Sequence, residues 1–273
     1  MRRMGKYTAH VAVLASAVGI SLAAWGATAL VGGEDEAGTP GSGAAARPGV
    51  PAQRAEQPDR PAKPTTRVPV GIAHAAEAGG RAVNITIDDG PDPRWTPRML
   101  DILKQHEVKA VFCMIGPQAQ RYPELVKRVV AEGHRLCDHT MTHDTAMDRK
   151  PVAYQKRQIL DARKMIEEAA GGVEVQYYRA PGGAFTPDSR KIAAAAGMRP
   201  LGWNVDTKDF ERPGAAAIVA TVKNELPNGP TILFHDGGGD RSQSVAALRE
   251  VLPWLKEQGR TFSFPVRTAP DTP

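Results

Sequence analysis

The 273-residue chain has two cysteines, one long apolar run, no internal repeat and no basic stretch interleaved with aromatic residues. Each scarcity narrows what the chain can do. Without a basic, aromatic-rich segment, the net charge of +5 gives no reason to expect nucleic-acid binding. That charge is compatible with attraction to an anionic wall or membrane surface but does not require it. With no cysteine near the N-terminus, a lipidated cysteine is not expected as an anchor. Periodic apolar positions are missing from about residue 32 to 70, which leaves roughly two hundred residues for one folded domain.

The single apolar run lies near the start. Arg2, Arg3 and Lys6 precede Val11 to Val31, and Glu34-Asp35-Glu36 follow, the charge order of a segment whose C-terminal side is translocated. Ala27-Thr28-Ala29 offers a small-residue cleavage site, yet the run of about twenty residues is also long enough to span a bilayer. Residues 1–31 are therefore expected to be a signal peptide or an N-terminal membrane anchor, with the remainder exported and touching the membrane only through this segment. Residues 32–75 are rich in Pro, Ala and Gly and read as a disordered linker. The folded domain is expected over 76–267, followed by a short flexible tail at 268–273.

Within that domain short apolar strands alternate with amphipathic helices. The strands are Val83 to Ile87, Ala110 to Ile115, Arg135 to Cys137, Val175 to Tyr178, Pro200 to Trp203, Thr231 to Phe234 and Phe262 to Phe264. Helical periodicity fills Thr96 to His106, Tyr122 to Glu132, Lys150 to Ala170, Pro187 to Ala196, Ala215 to Leu226 and Ser242 to Gln258. Such alternation predicts an α/β fold, a mostly parallel sheet covered by helices, with about the strand count of a barrel.

The polar motifs fall at the carboxyl ends of these strands. Asp88-Asp89 closes the first strand before Gly90-Pro91, and His139-Thr140-Met141-Thr142-His143 follows the third. Adjacent buried carboxylates repel unless something positive sits between them. Two histidines at i and i+4 point the same way on one helical turn, the conformation expected here. Two imidazoles and one carboxylate make a three-ligand metal site with room for water, leaving the second carboxylate to act as a base. Arg179-Ala180-Pro181-Gly182-Gly183, Asp206-Thr207-Lys208-Asp209-Phe210 and Leu233-Phe234-His235-Asp236 bring further ionisable groups to the same face.

Together these five motifs, in this order across about residues 80 to 266, resemble the polysaccharide deacetylases of carbohydrate esterase family four. The resemblance implies a distorted (β/α) barrel of about seven parallel strands, with the active site at their carboxyl ends. It also implies metal-dependent removal of an acetyl group from a sugar. Carried over residue by residue, Asp89, His139 and His143 would hold a divalent metal, zinc first, with cobalt, manganese or nickel as alternatives. Asp88 would be the general base, paired with and kept ionised by Arg179. His235 would be the general acid, oriented and charged by Asp209. Leu233 would line the acetyl pocket and the Gly182 N–H would stabilise the oxyanion. Phe210 would form a wall where the family commonly has Trp. Gly182 itself stands where the family often has an aromatic residue, so a more open groove is expected on that side.

The expected function is an exported, metal-dependent N-deacetylase, monomeric, acting on N-acetylglucosamine polymers, either peptidoglycan or chitin-like oligosaccharides. The alternatives are an O-acetyl esterase on xylan and a non-catalytic wall-binding protein. For Cys113 and Cys137, on consecutive strands, a disulfide and a pair of buried thiols both remain open.

Overall fold

The computed structural model describes residues 68–269. The N-terminal apolar segment, residues 32–67 of the expected linker, and residues 270–273 lie outside them. Among the described residues no helix is long and apolar enough to cross a membrane.

Strand β1 (Ala82–Asp88) is buried along its whole length, as are β2 (Ala110–Met114) and β7 (Thr231–His235), which flank it in parallel. Strands covered on both faces read as near-continuous apolar runs, and these do. Beyond β2 come β3 (Arg135–Asp138), β4 (Tyr177–Tyr178) and β5 (Arg199–Pro200). Beyond β7 lies β6 (Val205–Asp206). The strand order is β5-β4-β3-β2-β1-β7-β6, all pairs parallel, and β8 (Thr261–Phe262) pairs with the start of β1. Because β5 and β6 end the path without pairing, the seven strands curl into an incompletely closed barrel, the expected fold. β6 is not among the expected strands, since two residues carry no usable periodicity.

Alternation along each strand sorts the side chains into two layers. Ile85, Ile87, Phe112, Ile232 and Phe234 point outward into the main core beneath the helices. Those helices are α1 (Thr96–Gln105), α2 (Gly116–Arg121), α3 (Pro123–Ala131), α4 (Val152–Ala169), α5 (Pro187–Ala195), α6 (Ala215–Glu225) and α7 (Ser242–Glu257). α7 shows the pattern well: Val245, Leu248, Leu252 and Leu255 recur at helical spacing and are buried. Burying each is worth about 1.5–3 kcal/mol. The inner layer is mixed. Val111, Cys113, Cys137, Tyr177 and Leu201 form a small apolar cluster, while Thr86, Asp88 and Arg179 are polar and fully or almost fully buried.

Cys113 and Cys137 are register partners on β2 and β3, and they are joined by a disulfide. Of the two states the sequence left open, the bonded one is present. The expected linker boundary at residue 75 needs correction. Val68 and Ala73 are buried, Ala73 N–H donates to Pro200 O (2.8 Å), and Ala73 O accepts from Gly202 N–H (2.9 Å). At Ala73 the chain thus makes a single parallel bridge beside β5, to Leu201, while Val70 and Gly71 are exposed. Likewise the expected tail begins bound, with Ala269 O accepting from Arg199 Nη1 (2.8 Å).

Candidate active site

Every motif residue arrives at the carboxyl end of a strand. Asp88 ends β1 and sits in register opposite His235 at the end of β7, so these two side chains share the inner face. β3 leads into His139, β4 into Arg179, and the short 3₁₀ turn Asp209–Glu211 follows β6. Gly237 is required where the loop after β7 crosses Asp89, since a Cβ there would overlap the Asp89 carbonyl.

The expected helical turn for the histidine pair is not what presents them. Residues 139–143 form a loop in which Thr140 (φ 70°) and His143 (φ 52°) are left-handed. Asp89 is also left-handed (φ 78°). Such backbone costs non-glycine residues energy and persists only where surroundings fix it. The outcome matches what a helix would give, since both imidazoles still face Asp89. Asp89 Oδ1 lies 3.5 Å from His139 Nε2 and 3.2 Å from His143 Nε2. Among the described residues, these three form the group whose ligand atoms all lie within 4.8 Å of one another.

The local chemistry fits a cation there. His139 Nδ1 is 2.8 Å from Arg179 O, and a carbonyl only accepts, so Nδ1 carries the proton and Nε2 presents a lone pair. That lone pair faces both Asp89 Oδ1 and, at 3.6 Å, Asp88 Oδ2. Burial pushes the His139 pKa down to about 3, so its own protonation does not relieve the repulsion. Asp89 Oδ1 is buried and accepts no hydrogen bond. An acceptor-only cluster of this kind is what a divalent metal satisfies, and a carboxylate with two imidazoles suits zinc among other ions.

Arg179, fully buried, donates through Nη1 to Asp88 Oδ1 (2.6 Å) and Thr86 Oγ1 (3.0 Å). Its remaining nitrogens donate to Leu201 O and Gly202 O. Burial raises the Asp88 pKa above the ordinary carboxylate value, and the Arg179 charge pulls it only partly back. The expected pairing is present, but its effect on Asp88 is a compromise between the two. A carboxylate of raised proton affinity is the better base.

Across the site, His235 Nδ1 lies 2.6 Å from Asp209 Oδ1, and His235 N–H donates to Asp209 Oδ2 (2.9 Å). Burial alone would lower the His235 pKa. The Asp209 hydrogen bond and charge, with help from Asp88 and Asp89, outweigh it and raise the value to about 9. Asp209, despite burial, is held below its usual value by His235. Near neutral pH the pair is thus an imidazolium–carboxylate.

Leu233 is buried two residues before His235 on the same strand face, outside both apolar clusters. Phe210 is 41% exposed, and its ring meets the His235 ring edge-on at 5.3 Å. Gly182 lies in the short 3₁₀ turn Pro181–Gly183 and is left-handed (φ 59°). Sequence reasoning assigns no role to Thr86, which takes the second hydrogen bond of Arg179 Nη1. It also passes over Asp236, whose N–H donates to Asp88 O (3.0 Å) and whose buried carboxyl, raised to about 7 by burial, accepts from Thr96. The Thr-Ile-Asp and His-Asp strings contain both residues but carry no sign of what they touch.

The polysaccharide deacetylase family profile matches residues 75–201. A peptidoglycan-N-acetylglucosamine deacetylase of Bacillus cereus is 42% identical over 67% of this chain and 85% of its own length. A chitooligosaccharide deacetylase of Sinorhizobium fredii is 39% identical over 70% of this chain and 92% of its own. Among solved structures, a peptidoglycan N-acetylglucosamine deacetylase in complex with an N-oxidanyl-benzamide superposes with a TM-score of 0.68. It is 31% identical, over 74% of this chain and 95% of that one. A pseudoenzyme of carbohydrate esterase family four from Bacillus anthracis superposes with a TM-score of 0.65 at 27% identity, over 71% of this chain and 67% of that one.

Proposed function

The chain belongs to the polysaccharide deacetylase family of carbohydrate esterase family four, hydrolases of the acetamide carbon–nitrogen bond, and from that premise we propose that it is an exported, divalent-metal-dependent N-deacetylase of N-acetylglucosamine polysaccharide. Peptidoglycan is the preferred substrate in this reading. A pseudoenzyme among the structural neighbours means that fold alone does not carry the proposal. The observation that does is completeness: the Asp89–His139–His143 cluster, the Arg179–Asp88 pair and the Asp209–His235 pair meet at one end of the barrel.

A divalent ion bound by Asp89, His139 and His143 would polarise the acetyl carbonyl and acidify the attacking water. Asp88 accepts the proton of that water as its oxygen attacks the carbonyl carbon. Gly182 N–H donates to the carbonyl oxygen as negative charge develops there. His235, protonated through its pairing with Asp209, gives a proton to the nitrogen as the carbon–nitrogen bond breaks. Acetate and the free amine leave. Leu233 packs against the acetyl methyl group, and the exposed Phe210 ring provides a wall for the sugar.

Export is supported by the basic-apolar-acidic order of the first 36 residues, and a tether would place the domain beside peptidoglycan. Cell fractionation with N-terminal sequencing tests this; a cytosolic, unprocessed protein would remove it. The activity is tested with purified protein on acetylated chito-oligosaccharides, peptidoglycan and acetylated xylan. Amine release from the first two supports the reading, peptidoglycan leading. Acetate release from xylan alone would replace it with an O-acetyl esterase, and glycan binding without turnover would replace it with a wall-binding protein.

A further inference from the structure

We infer that Gln158, on α4, is a positioning residue that sets the geometry of the metal-binding loop, an inference that rests on reading Asp89, His139 and His143 as metal ligands. The loop is not helical, so its amides need acceptors from elsewhere. His139 N–H donates to Met114 O (2.8 Å), and Thr140 N–H to Asp138 Oδ1 (2.7 Å). The next two amides go to a single side-chain atom on another element. Gln158 Oε1 accepts from Met141 N–H (3.2 Å), Thr142 N–H (3.0 Å) and Thr142 Oγ1 (3.0 Å).

Gln158 occupies a position where α4 otherwise buries Ile159, Ala162 and Ile166, and it is only 8% exposed. A buried amide is tolerated there because its oxygen is fully used. Those three donors lie between the two histidines, on the segment that must turn left-handed at Thr140 and again at His143 to bring both rings to Asp89. Asp138 supports the same loop from the strand that carries it. Gln158 ties it to α4, so it fixes where His143 stands relative to His139. His143 is the more exposed ligand, its side chain 35% accessible against 2% for His139, and so has less packing of its own to hold it.

Thr142 is exposed and Met141 half-buried, so water can replace the lost hydrogen bonds without holding the loop in place. This separates metal geometry from fold stability. In Gln158→Leu, zinc affinity, measured by competition with a chromophoric chelator, should fall about 10–100-fold, the range for losing a group that orients a ligand. The visible spectrum of the cobalt-loaded protein should change as well, while the melting temperature of the metal-free protein stays close to wild type. Gln158→Glu keeps an oxygen in place and should restore most of the affinity. Unchanged zinc affinity in Gln158→Leu overturns the inference. So does a loss matched by equal destabilisation of the metal-free protein, or one that Gln158→Glu fails to rescue. A wild-type protein that binds no zinc overturns the metal reading and this inference together, whereas tight wild-type binding unaffected by Gln158→Leu removes the inference alone.

Discussion

Replacing Asp209 by Asn should move the alkaline limb of the pH–rate profile rather than simply lower activity. His235 must be protonated to donate to the departing amine, and its pKa is raised to about 9 against an ordinary value of 6.5. Burial works against that rise. The hydrogen bond and charge of Asp209 are the largest opposing influences, followed by Asp88 and Asp89, whose charge a bound cation would offset. The amide of the Asp209→Asn variant keeps an oxygen near Nδ1 but no charge, so the His235 pKa should drop to its ordinary value or below. That drop in pKa is on the order of 3 kcal/mol, and at roughly one unit above the ordinary value only about a tenth of the molecules carry the proton, where nearly all did before. Amide hydrolysis by Asp209→Asn should therefore fall steeply above neutrality and recover about tenfold per pH unit lowered, until the pH reaches the lowered His235 pKa and the gain levels off. The assay is kcat/KM for amine release from an acetylated chito-oligosaccharide between about pH 5 and 10. An alkaline limb in Asp209→Asn superimposable on the wild-type limb would refute the reasoning, because His235 would then not be the group that Asp209 charges.

Three further outcomes are expected. Asp88→Asn should bind zinc and lose about 10²–10⁴ in rate, the contribution of a general base; near-normal turnover would remove it from that role. His139→Ala should instead lose the metal, seen by metal analysis after dialysis, and retention of full zinc content would argue against its place in the cluster. Protein purified without reductant and then denatured should titrate no free thiols, and the Cys113→Ala, Cys137→Ala double variant should lose about 3 kcal/mol by denaturant unfolding, as expected for closing a loop of 24 residues. Two titratable thiols would mean that the pair is only buried.

The parts of the site that follow from composition at strand ends are legible in the sequence, and the parts set by side-chain contact are not. Asp88, Asp89, Arg179 and His235 can be placed because an apolar strand that ends in an ionisable residue delivers it to the carboxyl face whatever the loop does next. The His139–His143 spacing suits a helical turn, yet the same spacing is reached by a loop with two left-handed residues. Spacing alone cannot separate the two, since the difference lies in hydrogen bonds that the loop amides donate to Asp138 and to Gln158, the latter distant in sequence. Consecutive strands bring Cys113 and Cys137 near each other, but only register puts them face to face. α2 escapes a sequence reading because Gly116-Pro117 looks like a turn, although Pro is also at home in the first turn of a helix. The bridge at Ala73 escapes it because one pair of backbone hydrogen bonds leaves no periodic trace.

The central claim is that Asp89, His139 and His143 hold a metal that the hydrolysis of N-acetyl groups requires. Purified protein should be stripped with a chelator, dialysed, and assayed for amine release from an acetylated chito-oligosaccharide before and after stoichiometric zinc or cobalt. Activity should vanish on stripping and return with one metal ion per chain, and the Asp89→Ala protein should neither bind that ion nor recover. Full turnover in the stripped protein, or metal-restored turnover in Asp89→Ala, would contradict the claim.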